Sequence, residues 1–213
     1  MKNLIAFLSF LLACSSAFSQ AFSGSIDFMY ATQKDTTNNA YIVKGKRVKL
    51  DQYSKKGNTI EGSFLFDLGA NEIKFLNPKR KLWGKQKSET PQVIKGQCVV
   101  AKGTATQKIA GIKCIEYTVK NTEENTVVTF WITEQSNFEF FIPLIKLWNR
   151  KDKQSIYFGQ IKGLASGQMP MMSEERQISD GKIQTKLEVK KISKTPPSDS
   201  AFDIPAGYTK FEQ

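Results

Sequence analysis

The chain has 213 residues, with 31 lysines and arginines against 20 acidic residues, a formal charge of +11, and no histidine. The missing imidazole excludes Ser-His-Asp and Cys-His catalysis, histidine general bases and histidine metal ligands together. One domain of ordinary size, able to bury a real core, is what this length supports.

Met1, Lys2 and Asn3 precede an apolar run from Leu4 to Ala13, then Cys14, Ser15, Ser16, Ala17, Phe18 and Ser19. One basic residue, an apolar stretch and a small-residue stretch make a secretory signal over residues 1–19, with Ala17 and Ser19 placed for a cut before Gln20. The run is too short to span a bilayer, which takes about twenty residues. Leu11, Leu12, Ala13 and Cys14 also resemble a lipobox, so two addresses stay open. One is periplasmic or secreted after ordinary cleavage; the other is an outer-membrane lipoprotein anchored through Cys14. Export removes nucleic acid from the partners. The basic residues are scattered (Lys44, Lys46, Arg47 and Lys49; Lys79, Arg80 and Lys81; Lys186, Lys190 and Lys191) and read as a solvated surface. Attraction to anionic lipid headgroups or to an acidic protein partner is the alternative.

The mature chain opens with a half-buried strand over Phe22–Thr32, where Ile26, Phe28 and Tyr30 alternate with Asp27 and Met29. Lys34–Asn39 reads as a polar turn and Tyr41–Tyr53 as one strand. Thr59–Leu68 follows, with Ile60, Phe64 and Phe66 on one face, then Glu72–Leu76, which stops at Asn77-Pro78 and resumes at Leu82 and Trp83. Lys85–Gly96 is loop-like. Gln97–Ala101, Ile109–Val119 and Thr126–Thr133 are rich in β-branched and aromatic residues and read as an antiparallel meander, the first turn running from Lys102 to Lys108.

After Thr133 the period changes. Eight large apolar residues crowd Phe138–Trp148, and Pro143 suits the first turn of a helix, predicted from Pro143 to Lys151. A second short helix is expected near Gln154–Gly163. Gln168–Gln177 and Lys182–Ser193 form a closing hairpin that turns at Ser179–Gly181, and Pro196–Ser200 is a linker before a docking segment from Phe202 to Tyr208. The expected organisation is therefore a β-domain over residues 20–195, a helical insertion near 138–163, and a linker with a C-terminal docking segment over 196–213. The fold class is mainly β (α+β): a strongly curved antiparallel sheet or open half-barrel of eight or nine strands. One or two short helices cover its concave face.

With the hairpin turn centred on Thr106, Cys98 and Cys114 face one another, close enough for a disulfide in an oxidising compartment. Two buried thiols, or a redox or metal pair, are the alternatives. Met169, Met171 and Met172 surround Pro170; thioethers can hold copper(I), but methionine is more often filler beside a core or an apolar ligand. No metal or cofactor is expected. The aromatic set Phe28, Phe64, Phe66, Phe130, Phe141 and Trp148 is either plain core or, with Met171 and Met172, the lining of a cavity between sheet and helix. No carboxylate pair has a spacing for acid/base work, and no glycine-rich phosphate loop exists, so an enzyme is not expected.

Three stretches carry a likeness to a known group. They are Lys108–Cys114 with Tyr117 and the Phe130-Trp131-Ile132-Thr133 strand, the Gly163–Pro170 return, and the closing Phe202, Ile204, Pro205, Gly207 and Tyr208. In these the chain resembles the uncharacterised exported bacterial family called domain of unknown function 4412; Ile112 departs from the aromatic residue that often follows the motif glycine. That family is similar in fold to the lipoprotein carriers of the LolA/LolB type, whose curved sheet and helices hold acyl chains. The resemblance implies no catalytic residues. The leading expectation is a non-enzymatic exported binding protein for an apolar or lipid-like ligand, lipoprotein acyl chains among the candidates. The competing one is a structural or interaction protein with a solid core, acting through its basic surface.

Overall fold

Strand β1 (Gly24–Thr32) buries Ile26 and Phe28 on one face while Asp27 and Met29 take the other, the two-residue alternation of a half-covered strand. In this computed structural model, which describes residues 21–55, 57, 59–90, 92–134 and 137–211, β1 stands near the middle of a single open sheet of twelve strands. Residues 1–19, read from the sequence as a secretory signal, and Cys14 among them lie outside the described residues. From β1 the chain walks outward through β2 (Thr36–Lys44), β3 (Arg47–Tyr53), β4 (Ile60–Asp67), β5 (Glu72–Asn77) and β6 (Leu82–Gln86), each antiparallel to the last. It then crosses to the opposite edge. There β7 (Val99–Ile109), β8 (Ile112–Asn121), β9 (Thr126–Thr133), β10 (Pro170–Gln177) and β11 (Ile183–Ser193) walk back until β11 pairs with β1. A short β12 (Thr209–Lys210) lies parallel to β6 and covers that edge. Helices α1 (Phe141–Trp148) and α2 (Lys153–Phe158) sit between β9 and β10 in the chain.

The strand count exceeds the expected eight or nine because one expected strand is two, Leu82–Gln86 is a strand of its own and β12 is added at the edge; two turns also lie elsewhere than expected. Tyr41–Tyr53 is not one strand: Gly45, at φ +59°, reverses the chain between β2 and β3, and β2 starts at Thr36, inside the stretch read as a turn. The polar run Lys102–Lys108 is not a turn. It belongs to the long edge strand β7, and the hairpin closes at Ala110 and Gly111, both at positive φ. That shift removes the disulfide. Cys114 stands opposite Gln107, whereas Cys98 lies at the far end of β8, where Asn121 Nδ2 donates to its sulfur at 3.7 Å. Seven residues of extended strand, about 23 Å, separate Cys114 from Asn121. Both cysteines are free, and burial pushes the Cys114 thiol up to about 11.

One face of the sheet holds the core and both helices. Phe130 of β9 meets Phe158 of α2 at 5.8 Å between ring centroids, while Phe64 and Phe66 of β4 each meet Trp148 of α1 at 5.1 Å. Leu50 of β3 and Phe130 line one common space although five strand spacings lie between them in the sheet order, about 24 Å if it were flat. The sheet therefore bends around the helices. On the outer face Asp51 is only 2 % exposed; it accepts from Ser63 Oγ at 2.5 Å and pairs with Lys49 Nζ at 3.1 Å, which satisfies a carboxylate out of water. The C-terminal segment docks nearby. Asp199 pairs with Lys44 and Arg47, and the Arg47 guanidinium lies 4.8 Å over the Phe202 ring.

The connection from β6 to β7 crosses the open side of the molecule. Ser88 Oγ donates to Leu147 O at 2.6 Å and Asn149 Nδ2 donates to Glu89 O at 2.7 Å, so the crossing segment fills carbonyl and amide partners at the end of α1. Asn149 closes that helix in the left-handed conformation, φ +52°, a backbone state asparagine tolerates. Further on, Lys95 N donates to Glu124 Oε1 at 3.0 Å, and Asn121 Nδ2 donates to Lys95 O at 2.8 Å.

Candidate ligand cavity

The helices that form the cavity roof are dictated locally. In α1 the residues Phe141, Leu144 and Trp148 repeat at three and four positions and are buried together. Its apolar character leaves it unstable without a partner surface, which the sheet supplies. Asp152 starts α2: its Oδ1 accepts from Ser155 N and its Oδ2 from Ser155 Oγ, each at 2.9 Å.

Between the roof and the bent sheet lies a cavity of about 300 Å³, at the small end of ligand pockets. Its inner wall is mostly apolar, with Phe28 and Leu50 from the sheet, Phe130 and Leu187 beyond them, Phe141 and Ile145 from α1, and the buried polar groups of Asn39, Gln154 and Ser173 set among them. Phe28 stacks on Tyr41 at 4.8 Å between centroids, which fixes both rings against the floor. Its more exposed rim is polar, with Asp35, Thr37, Gln52, Arg150 and Asp152. The cavity is thus mainly apolar within, its buried polar groups bonded to one another or to the backbone, and polar at the entrance.

Several groups around it are held away from ordinary chemistry. Burial pushes the Tyr41 hydroxyl up to about 12, against the pull of Arg150, so the phenol stays neutral. Tyr30 is raised as well, by burial and by the negative charge of Asp152. Arg150 Nε lies 3.0 Å from Asp152 Oδ2, and its guanidinium stacks over Trp148 at 4.8 Å. On the floor Ser173 Oγ donates to Gln154 Oε1 at 2.6 Å, Gln154 Nε2 donates to Thr185 Oγ1 at 2.8 Å, and Thr185 Oγ1 donates to Glu175 Oε2 at 2.9 Å. This chain pins α2 to the two strands beneath it.

Glu124, in the turn between β8 and β9, gathers a second cluster. Its carboxylate accepts from Lys95 N, Tyr157 Oη and Lys153 Nζ, the last two on α2. Desolvation pushes this carboxyl upward, but the three donors outweigh it and hold the group at about 2. Tyr157 moves the other way, raised by burial and by its donation to Glu124.

Of the eight aromatic and methionine residues proposed from the sequence, Phe28, Phe130, Phe141 and Trp148 line the cavity. Phe64 and Phe66 stand behind Trp148 as its packing partners. Met171 is fully buried in the core beside the bulge at the start of β10. Met172 is in register with Trp131 and Glu188 and so takes the sheet's other face. The sequence reading omitted Tyr30, Tyr41, Leu50, Ile145 and Arg150. Tyr41 shares a face with Val43 by simple alternation and was findable; Arg150, just past the helix, carries no local signal of its position at the mouth.

The sequence profile of the family described as Domain of unknown function (DUF4412) matches residues 22–208. No curated protein matches the chain. Among solved structures, an uncharacterized conserved protein from Thermus thermophilus is similar at 7 % identity and TM-score 0.51, covering 90 % of this chain and 91 % of that one. That likeness is one of fold. The complex of MucA and MucB from Pseudomonas aeruginosa gives 10 % identity and TM-score 0.47, over 89 % of this chain and 57 % of that one. A LolA superfamily protein from Nitrosomonas europaea gives 10 % identity and TM-score 0.35, over 87 % and 90 %.

Proposed function

Taking as premise that the chain belongs to the DUF4412 family over residues 22–208, we propose that it is an exported, non-enzymatic protein that binds an apolar or lipid-like ligand beneath α1 and α2. The observation that carries this reading is the cavity of about 300 Å³, lined mainly by apolar side chains within and polar at its mouth. An acyl chain entering it gains about 0.8 kcal/mol per methylene removed from water. The curved sheet acts as an open half-barrel, and the helices as its lid. Export rests on the leader at residues 1–19. Among the described residues no helix is long and apolar enough to cross a membrane.

The carboxylates at the mouth have structural employment, which supports binding over catalysis. Asp152 is occupied by Arg150 and Ser155, and Asp35 pairs with Lys55 at 3.0 Å. The competing reading, action through the basic surface, has the net charge behind it but no gathered site: the basic residues are scattered along the chain, and Lys186 and Lys190 share the one carboxylate of Glu188. Native mass spectrometry of the protein purified from its own envelope tests the proposal. A co-purifying apolar adduct is expected. Consistently empty protein that also takes up no fluorescent fatty-acid probe would overturn it.

A further inference from the structure

The mouth of the cavity is asymmetric in its chemistry. Arg150 lines it with its guanidinium stacked on Trp148 and its Nε 3.0 Å from Asp152 Oδ2, an ion-pair contact. A guanidinium has five N–H donors, and the contact with Asp152 lies at the Nε end. Among the described residues the terminal Nη1 and Nη2 nitrogens of Arg150 have no partner, and they form the fork that matches a carboxylate or phosphate. The side chain is more than half covered, at 39 % exposure, so the fork works in a less screened setting than a free surface arginine. Tyr30 and Tyr41 line the same space, and both are hydroxyl donors. Phe28, Leu50 and Phe130 then lead inward from this polar end.

We propose that the ligand is a single-chain amphiphile with an anionic head, its carboxylate or phosphate held by the Nη1/Nη2 end of Arg150 at the mouth and its chain laid along the apolar wall. The inference rests on the binding function proposed above and goes further by assigning the head group and its receptor. A cationic head is the opposite possibility, because Asp35 and Asp152 also reach the mouth. Both carboxylates already have partners, Asp35 in Lys55 and Asp152 in Arg150 and in the Ser155 N–H and hydroxyl, whereas among the described residues the Nη nitrogens of Arg150 have none.

Calorimetric titration of the mature chain with dodecanoate, dodecyl phosphate, dodecanol and dodecylamine tests this. The four probes share one tail, so the comparison isolates the head. At least one of the two anions is expected to bind about tenfold or more tighter than dodecanol, and the anion that binds better identifies a fatty-acid or a phosphorylated source. Arg150→Gln is expected to weaken the preferred anion about tenfold more than it weakens dodecanol. Equal affinity for anion and alcohol in the unmodified protein, tighter binding of the amine, or an Arg150→Gln variant that weakens the alcohol as much as the anions would each overturn the assignment. Should the variant not fold, the head-group comparison in the unmodified protein decides alone. Binding of dodecanol without anion preference would sink this inference and leave the binding function standing; no uptake of any probe would remove both.

Discussion

Tyr157 donates its hydroxyl proton to Glu124 Oε2 at 2.6 Å, tying the second helix to the turn between β8 and β9. The same carboxylate receives Lys95 N from the segment that crosses the open side of the sheet. Roof, crossing segment and sheet therefore meet at one acidic side chain. Tyr157 is itself wholly buried, so no water can substitute for the carboxylate without a rearrangement.

Tyr157→Phe keeps the ring and deletes the donor. A hydrogen bond to a charged group contributes about 1.5–3 kcal/mol, which in a domain of this size corresponds to a fall in Tm of about 5 °C. Differential scanning calorimetry should show that fall with an unchanged far-ultraviolet spectrum. A variant melting with the unmodified protein would mean the bond contributes nothing.

The acid response follows from the same carboxyl. Its folded pKa, about 2, lies below the ordinary value of 4.5, so the folded state binds this proton less readily than the unfolded chain. The stabilisation is complete above about 4.5 and is lost as pH falls through about 2. Urea titrations across that window should show a steeper loss of stability in the unmodified protein than in Glu124→Gln. Parallel acid limbs would contradict the assignment.

The free cysteines give a third prediction. Thiol titration of the denatured, unreduced chain should find Cys98 and Cys114 both reactive. In the native protein Cys98, half-buried, should react first. Cys114, with no exposed surface and a thiol pushed up to about 11, should react only on unfolding. A missing pair of thiols in the denatured sample would instead indicate the disulfide that the β7–β8 register forbids.

Trp148→Ala should cost about 3–5 kcal/mol, because the indole fills the space between Phe64, Phe66 and Arg150. It should also weaken binding of a fatty-acid probe, since Trp148 is part of the cavity wall. Chemical denaturation and probe titration of the same sample separate the two effects. A small stability change would show that the pocket can collapse around the loss.

How far the chain could be read depended on where each stretch ends up. The Phe138–Trp148 run was legible as a covering helix because so many large apolar residues need a surface to bury against, and Pro143 fits its first turn. The closing hairpin was legible because Ile183, Thr185 and Leu187 alternate with lysines and Glu188 around a turn at Gly181. The β7 edge was not. Most of Val99–Lys108 is exposed on both faces, so no apolar alternation marks Lys102–Lys108 as strand, and Gly103 invited a turn. The real turn hid in the apolar-looking Ile109-Ala110-Gly111-Ile112. The cavity was half legible: four of its rings stand on recognisable strands and helix, but its mouth joins Tyr30 and Asp35 to Arg150 and Asp152, more than a hundred residues away. The closure of β1 on β11 and the packing of α1 across β4 bring them together.

The central claim, that the space beneath the helices is a binding site, is tested most directly by filling it. Ile145 lines the cavity from α1, and Ile145→Trp adds bulk into that space. A fluorescent fatty-acid probe should saturate the unmodified mature protein at one site per chain and show no saturable binding to a folded Ile145→Trp variant. Equal saturable binding to both proteins, or none to the unmodified protein, would contradict the account.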